Sequence, residues 1–288
     1  MADNIQGRRC ATASISSGDR MRMAELERDF VERTRITEAD IELAITVHFI
    51  HIVDGSDGHI TAQMRADQID VLNRAYDIMG ISFVYNEDDV KVVDNADYFR
   101  MGHGSLRERN CKTDNQAVSP EFGLNFYTAA PGGGLLGWAT FPYEMEGDPA
   151  MDGVVMLHST LPGGDKEPYN LGNTAVHEVG HWLGLYHTFQ DGCYEPGDEV
   201  DDTPPHAGPN YGKPADSDQP HNLCNNAPSG SLCPTHNFMN YTDDDWMHEF
   251  TEGQKDRVWA QIGMFRQDLF SAGGANITED DLAAKVIW

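Results

Sequence analysis

The first 35 residues are polar, with a basic start and a charged run over 19–33 of helix-forming composition, which predicts an appendage helix outside the main core. The pattern then changes abruptly. Over 41–53, IELAITVHFIHIV, bulky and smaller residues alternate and many are β-branched, predicting a strand buried on at least one face. Ile69, Leu72, Tyr76 and Met79 recur at helical spacing within 61–79, and Gly80 supplies a stop, so a helix should pack on that strand. Further short strands are predicted at 81–85, around Val92, at 123–128 and at 154–158, separated by Gly, Pro and Asp clusters. The stretch 135–142, LLGWATFP, follows Gly132, Gly133 and Gly134; it is too apolar for a solvated loop and too broken for a core helix, and it reads as an edge strand. From 189 to 236 periodicity gives way to Asp, Pro, Gly and Asn, predicting an irregular segment held by cross-links or ions. At Thr251, TEGQ offers a capping box with Gln254 and a helix running to about Phe270. The fold class is α+β.

Length and charge narrow the function. At 288 residues the chain can bury one core of two lobes or two small domains. Its 47 acidic and 20 basic residues give a formal charge of −27, which opposes binding to nucleic acid or to an anionic membrane and favours cations as partners. No apolar run approaches the roughly 20 residues of a membrane span, so no membrane partner is expected. The first residues lack the apolar core of a secretory signal, so export would require a signal outside this sequence. Five cysteines leave at least one without an intramolecular partner, and three of them, Cys193, Cys224 and Cys233, crowd into the irregular segment. Such clustering points to an extracellular, disulfide-stapled lobe, with free thiols as the other reading.

The chemistry is concentrated in TAVHEVGHWLGLYHT, residues 174–188. His177 and His181 are four apart and share one face of a helix, with Glu178 beside them as a base. Gly184 permits the sharp turn that returns His187 as a third nitrogen ligand. Three neutral imidazoles leave a zinc ion with an open position, where a bound water becomes a usable nucleophile near neutral pH. The pattern HExxHxxGxxH is the metzincin signature. A zincin with a different third ligand and a zinc-stabilised, non-catalytic binding module are the competing readings; the first leaves His187 without a role and the second makes Glu178 dispensable.

HEVGHWLGLYHTF (177–189), EVDDTPPHAGPNYG (199–212), HNFMNYTDDD (236–245) and FTEGQKDRV (250–258) together resemble the pappalysin family of metzincin metalloendopeptidases, with weaker similarity reaching back to about residue 36. The resemblance implies a pro-segment over 1–35 and a catalytic domain over 36–288, with an upper subdomain (36–187) and a lower one (188–288). It implies a twisted mixed sheet with backing and active-site helices over a mostly irregular lobe that ends in a helix. It also implies a secreted monomer or weak dimer acting on protein or peptide substrates. Met239 falls at the family's methionine turn beneath the zinc. Tyr241 falls where a tyrosine can approach the metal, or it is a packed aromatic. Gly137, Trp138, Ala139 and Thr140 lie in the apolar edge read above, which in a protease would pair with an extended substrate by strand addition; an ordinary edge strand is the other reading. Asp245 matches the acid that selects Arg or Lys after the scissile bond, although the run Asp243 to Asp245 also reads as a solvated acidic turn. Asp198, Asp201, Asp202 and the Thr203 carbonyl are implied calcium ligands, with an acidic surface loop as the alternative. Arg9-Cys10-Ala11-Thr12 resembles a latency motif that presents Cys10 to the zinc, although Ala11 departs from the family's glycine; self-cleavage near Arg33 or Arg35 would release it. Lys213 and Trp246 stand where relatives carry a second disulfide. The resemblance then pairs Cys193 with Cys224, or with Cys233 if the register shifts, and leaves Cys111 unassigned.

Overall fold

The computed structural model describes residues 10–12, 16–34, 42–214 and 222–272. The expected pro-segment boundary at 35/36, Arg9 and Arg35 lie outside these residues, and Arg33 is described in its backbone only. In chain order the elements are helix α1 (Ser17–Thr34), strand β1 (Leu43–Val53), helix α2 (Ala62–Tyr76), strands β2 (Ile81–Val84) and β3 (Lys91–Asp94), helices α3 (Ala96–Phe99) and α4 (Leu106–Asn115), and strands β4 (Leu124–Ala129) and β5 (Gly137–Ala139). Helix α5 (Pro142–Met145), strand β6 (Val154–Leu157), helix α6 (Asn173–Trp182), the short strands β7 (Tyr211–Gly212) and β8 (Tyr241–Thr242), and helices α7 (Glu252–Phe265) and α8 (Asp268–Ala272) follow.

The main sheet has the order β2-β1-β4-β6-β5, with β3 pairing the second half of β1. All its pairings are parallel except β5 on β6, which is antiparallel and forms one edge. On β1, Leu43, Ile45, Val47 and Phe49 alternate into the main core, which they share with Leu72 and Tyr76 of α2 and Val176 and Val179 of α6. Ile50 and Ile52 point to the opposite face, into a second core with Phe99, Cys111, Tyr127 and Trp138. Helix α2 begins where Thr61 Oγ1 accepts from Met64 N (3.2 Å), and the chain turns out at Gly80, whose φ of 68° is costly for any other residue. The sheet and α2 therefore form where the apolar pattern places them.

Two regions differ from that pattern. Helices α3 and α4 are absent from the sequence reading because α4 buries Glu108, Cys111 and Lys112 in place of an apolar stripe. The C-terminal helix, expected to reach about Phe270, breaks at Arg266, and α8 follows separately. There the chain turns so that the buried guanidinium can bond Asp152 Oδ1 (2.7 Å) and the Trp182 carbonyl (3.1 Å) and lie over the Trp182 ring. The 189–236 segment holds only β7 among its described residues, and the Cys193–Cys224 disulfide crosses it.

Candidate active site

Helix α6 carries the first two histidines because nearly every one of its positions is buried, leaving the axis no rotational freedom. Asp244 sits at its N-terminus, where Oδ2 accepts from Leu171 N (2.9 Å) and Asn173 N (3.3 Å), as a carboxylate should at the positive end of a helix. At the other end Leu185 N donates to Gly180 O, and Gly184 turns the chain with φ 103°. Glycine is required there twice over, because a Cβ would also meet Gln261 Cγ at 2.4 Å. The turn returns His187 to the helix.

The three Nε2 atoms converge: His181 Nε2 lies 3.2 Å from that of His177 and 3.1 Å from that of His187. His177 Nδ1 donates to the Phe238 carbonyl and His181 Nδ1 to the Leu185 carbonyl, both at 2.7 Å. A carbonyl only accepts, so these Nδ1 atoms carry the protons and the two facing Nε2 atoms present lone pairs. Burial pushes His181 down to about 4, which keeps the ring neutral. Two lone pairs held at 3.2 Å repel unless a cation lies between them, so the donor set fits a divalent metal ion and fits little else. Cys10 Sγ joins the three nitrogens, all four ligand atoms lying within 4.8 Å of one another.

Beneath the histidines Met239 is fully buried, its Sδ so close to α6 that a Cβ on Gly180 would approach to 2.5 Å. Asn237 and Gln254 exchange hydrogen bonds (2.8 and 3.0 Å), tying this turn to the capping box of α7. The Tyr241 hydroxyl is 3.2 Å from His187 Nε2. Glu178 Oε2 accepts from Cys10 Sγ (3.2 Å) and from Thr12 Oγ1 (3.0 Å). Strand β5 passes directly over this carboxylate; a Cβ on Gly137 would come within 2.9 Å of Glu178 Cγ. Residues 10–12 lie along the same strand, with Ala11 N donating to Gly137 O (3.1 Å) and Ala139 N donating to Thr12 Oγ1 (2.9 Å). Sequence reasoning placed Thr12 in a motif without giving it a role, since nothing local predicts a contact across 166 positions.

Other expected residues stand apart from the histidines. Asp245 is half-exposed and its Oδ2 lies 2.5 Å from Lys213 Nζ. Trp246 stacks on His236. Lys213 and Asp245 thus join the segment after β7 to the segment after β8. Asp198, Asp201 and Thr203 line a cavity of about 200 Å³ together with Gln190 and Glu199. Asp198 accepts from Thr203 Oγ1 (2.6 Å), and burial pushes it up to about 7. Asp202 turns away, accepting from Thr251 Oγ1 (2.7 Å) and Gly253 N (2.9 Å) at the start of α7. Cys193 pairs with Cys224, while the Cys233 thiol donates to Asn210 Oδ1 (3.2 Å).

Comparison with known proteins agrees with this geometry. Residues 136–263 match the peptidase M43 family, described as pregnancy-associated plasma protein-A. Extracellular metalloprotease 1 of Coccidioides posadasii is 37% identical over 236 residues, covering 79% of this chain and 80% of its own length. An extracellular metalloprotease of Pyricularia oryzae is 38% identical over 237 residues, covering 80% of this chain and 79% of its own. Among solved structures, promirolysin of Tannerella forsythia shares the fold with a TM-score of 0.77 at 24% identity, over 96% of this chain and 98% of that one. Mature mirolysin in complex with a cleaved peptide has a TM-score of 0.69 at 26% identity, over 81% of this chain and 96% of that one. The chain therefore belongs to the pappalysin family of metzincin metalloproteases, peptidase family M43.

Proposed function

We propose that this chain is a secreted, zinc-dependent endopeptidase made in a latent form, with His177, His181 and His187 holding the ion and Glu178 acting as the base. The convergence of three Nε2 atoms, two of them on buried rings and forced to present lone pairs, carries this reading. A zinc ion there would supply Lewis-acid polarisation of the scissile carbonyl and of the attacking water. Glu178 Oε2 takes a proton from that water and returns it to the leaving amine. The Tyr241 hydroxyl, beside His187, donates to the oxygen on which charge develops. Met239 supports the ligands from below. The backbone of Gly137, Trp138, Ala139 and Thr140 offers an edge to an extended peptide by strand addition.

Latency is supported by the path of residues 10–12. They occupy the same edge, place Cys10 Sγ among the histidine nitrogens, and engage Glu178 through two donors. Helix α1 anchors this segment: Arg20 pairs with Asp191 and donates to Gly197 O, and Glu27 accepts from Arg257 (2.8 Å) and Gln261 (3.1 Å). The segment to about residue 35 is the proposed pro-segment. Residues 36–187 and 188–288 would then be the upper and lower subdomains of the mature enzyme. For specificity, Asp245 already holds an ammonium group, that of Lys213, and a basic side chain following the scissile bond would displace it. Structural calcium would use Asp198, Asp201 and the Thr203 carbonyl. Proteins and peptides are the partners, with the chain a monomer or weak dimer; the charge of −27 opposes nucleic acid and anionic membranes.

One experiment tests enzyme, mechanism, latency and specificity: digestion of a peptide mixture by the intact chain, by Cys10→Ser and by Glu178→Gln, with cut sites read by mass spectrometry. Cys10→Ser should cleave without lag, the intact chain only after losing its N-terminus, and Glu178→Gln not at all while retaining metal. Arg or Lys should be enriched directly after the cut. Full activity in Glu178→Gln would overturn the mechanism, equal lag in Cys10→Ser the latency, and the absence of basic residues the role of Asp245.

A further inference from the structure

Behind β5, on the side away from the histidines, lies a buried polar cluster that the proposed chemistry does not use. Glu108 and Lys112 of α4 are both 1% exposed and pair at 3.0 Å. Glu108 Oε1 also accepts from the Trp138 indole N–H (2.6 Å), and Oε2 accepts from Gly104 N (2.7 Å). Lys112 Nζ donates to the Met151 carbonyl (2.6 Å), and the Thr140 hydroxyl donates to the same carbonyl (2.7 Å). Both the middle of β5 and the residue after it are therefore tied to one cluster.

Burying an ion pair is a weak route to stability, since desolvation consumes most of its attraction. Position is the better account. Strand β5 has three residues and, among the described residues, only β6 beside it in the sheet, and it follows the glycines 132–134, so its own backbone fixes it poorly. Yet this strand must hold two things in register. Gly137 lies against Glu178, and the Gly137 carbonyl and Ala139 amide are the groups that residues 10–12 engage. We infer that Glu108, acting through the Trp138 indole, is a positioning residue that fixes β5 as the template for an extended peptide backbone. The inference rests on the endopeptidase reading above. It assigns to α4, an element remote from the histidines, control over how main chain is bound and not over bond cleavage itself.

Trp138→Phe removes the indole donor and keeps a ring in the core, while Glu108 retains Lys112 and Gly104 N. In the matured enzyme, KM for a peptide long enough to pair along the whole edge should rise about five- to tenfold, as expected for loss of one charge-assisted hydrogen bond. Its kcat, and both constants for a short substrate that does not reach the edge, should stay within about twofold. Amide exchange at Thr140, whose N–H bonds the Gly153 carbonyl, should quicken about tenfold or more. Thr140→Val, which cuts the second tether, should give the same pattern and serves if Trp138→Phe does not fold. Trp259→Phe is the control, because its indole N–H bonds the Met79 carbonyl and no group of β5, and it should change neither constant. An unchanged KM with unchanged exchange at Thr140, or equal losses on long and short substrates, or the same losses in Trp259→Phe, would overturn the inference. If the unmutated enzyme cleaves no peptide, the endopeptidase reading fails, while the exchange data still decide whether the tether fixes β5.

Discussion

His51 shows how a single side chain sets a condition on the whole sheet. It lies in β1, 1% exposed; Nδ1 is 2.8 Å from Thr128 Oγ1, Nε2 has no hydrogen-bond partner among the described residues, and the ring stacks on Phe49. Burial, reinforced by the nearby Arg65 charge, pushes it down to about 3. Its folded value is thus below the ordinary 6.5, so the unfolded chain binds the extra proton between these values. The stability from the neutral ring is full above pH 6.5 and declines as pH falls towards 3, by up to ~1.4 kcal/mol per pH unit. Denaturant unfolding at pH 7 and pH 5 should therefore show a smaller loss on acidification in His51→Gln than in the unmutated chain; equal losses would contradict it. At this scale the sequence was most legible where spacing alone fixes geometry. His177, His181 and His187 fall together because four residues make one helical turn and Gly184 makes the reversal. The run Asp243 to Asp245 was illegible by contrast. Asp244 is buried at the start of α6 and Asp245 is half-exposed against Lys213, a division that three identical neighbours cannot announce.

Among the elements, those with an apolar period were legible and those whose packing is polar were not. Strand β1 and helix α2 fall within a few residues of expectation, whereas α4 hides its buried face in Glu108 and Lys112, and α7 stops at Arg266 to form a buried pair with Asp152. The irregular 189–236 segment has no apolar period, so its order depends on clamps. One is the Cys193–Cys224 disulfide, and we propose a calcium ion in the acidic cavity at Asp198 as another. Burial leaves the Asp198 carboxylate poorly solvated, and a calcium ion would offset that cost. Chelation should lower the thermal midpoint, and calcium, but not zinc, should restore it. A midpoint indifferent to calcium would remove the site.

For the molecule as a whole, the sheet, α6 and the 236–247 turn bring together groups that lie far apart in the chain. Phe238 orients His177 across 61 positions, and Thr12 reaches Glu178 across 166. Neither contact was legible in the sequence, because no local rule specifies them; resemblance to a family implied only that Cys10 and Met239 come near the metal. These contacts make the N-terminal segment, the edge strand and the histidines one unit, which we propose works through one zinc ion. The most direct test is turnover of the matured, metal-stripped enzyme as zinc is added in known amounts, with calcium held constant. Turnover should be absent at zero zinc and rise linearly until it levels off at one zinc per chain. Turnover in the stripped enzyme, or a zinc-loaded enzyme that cleaves no peptide, would contradict it.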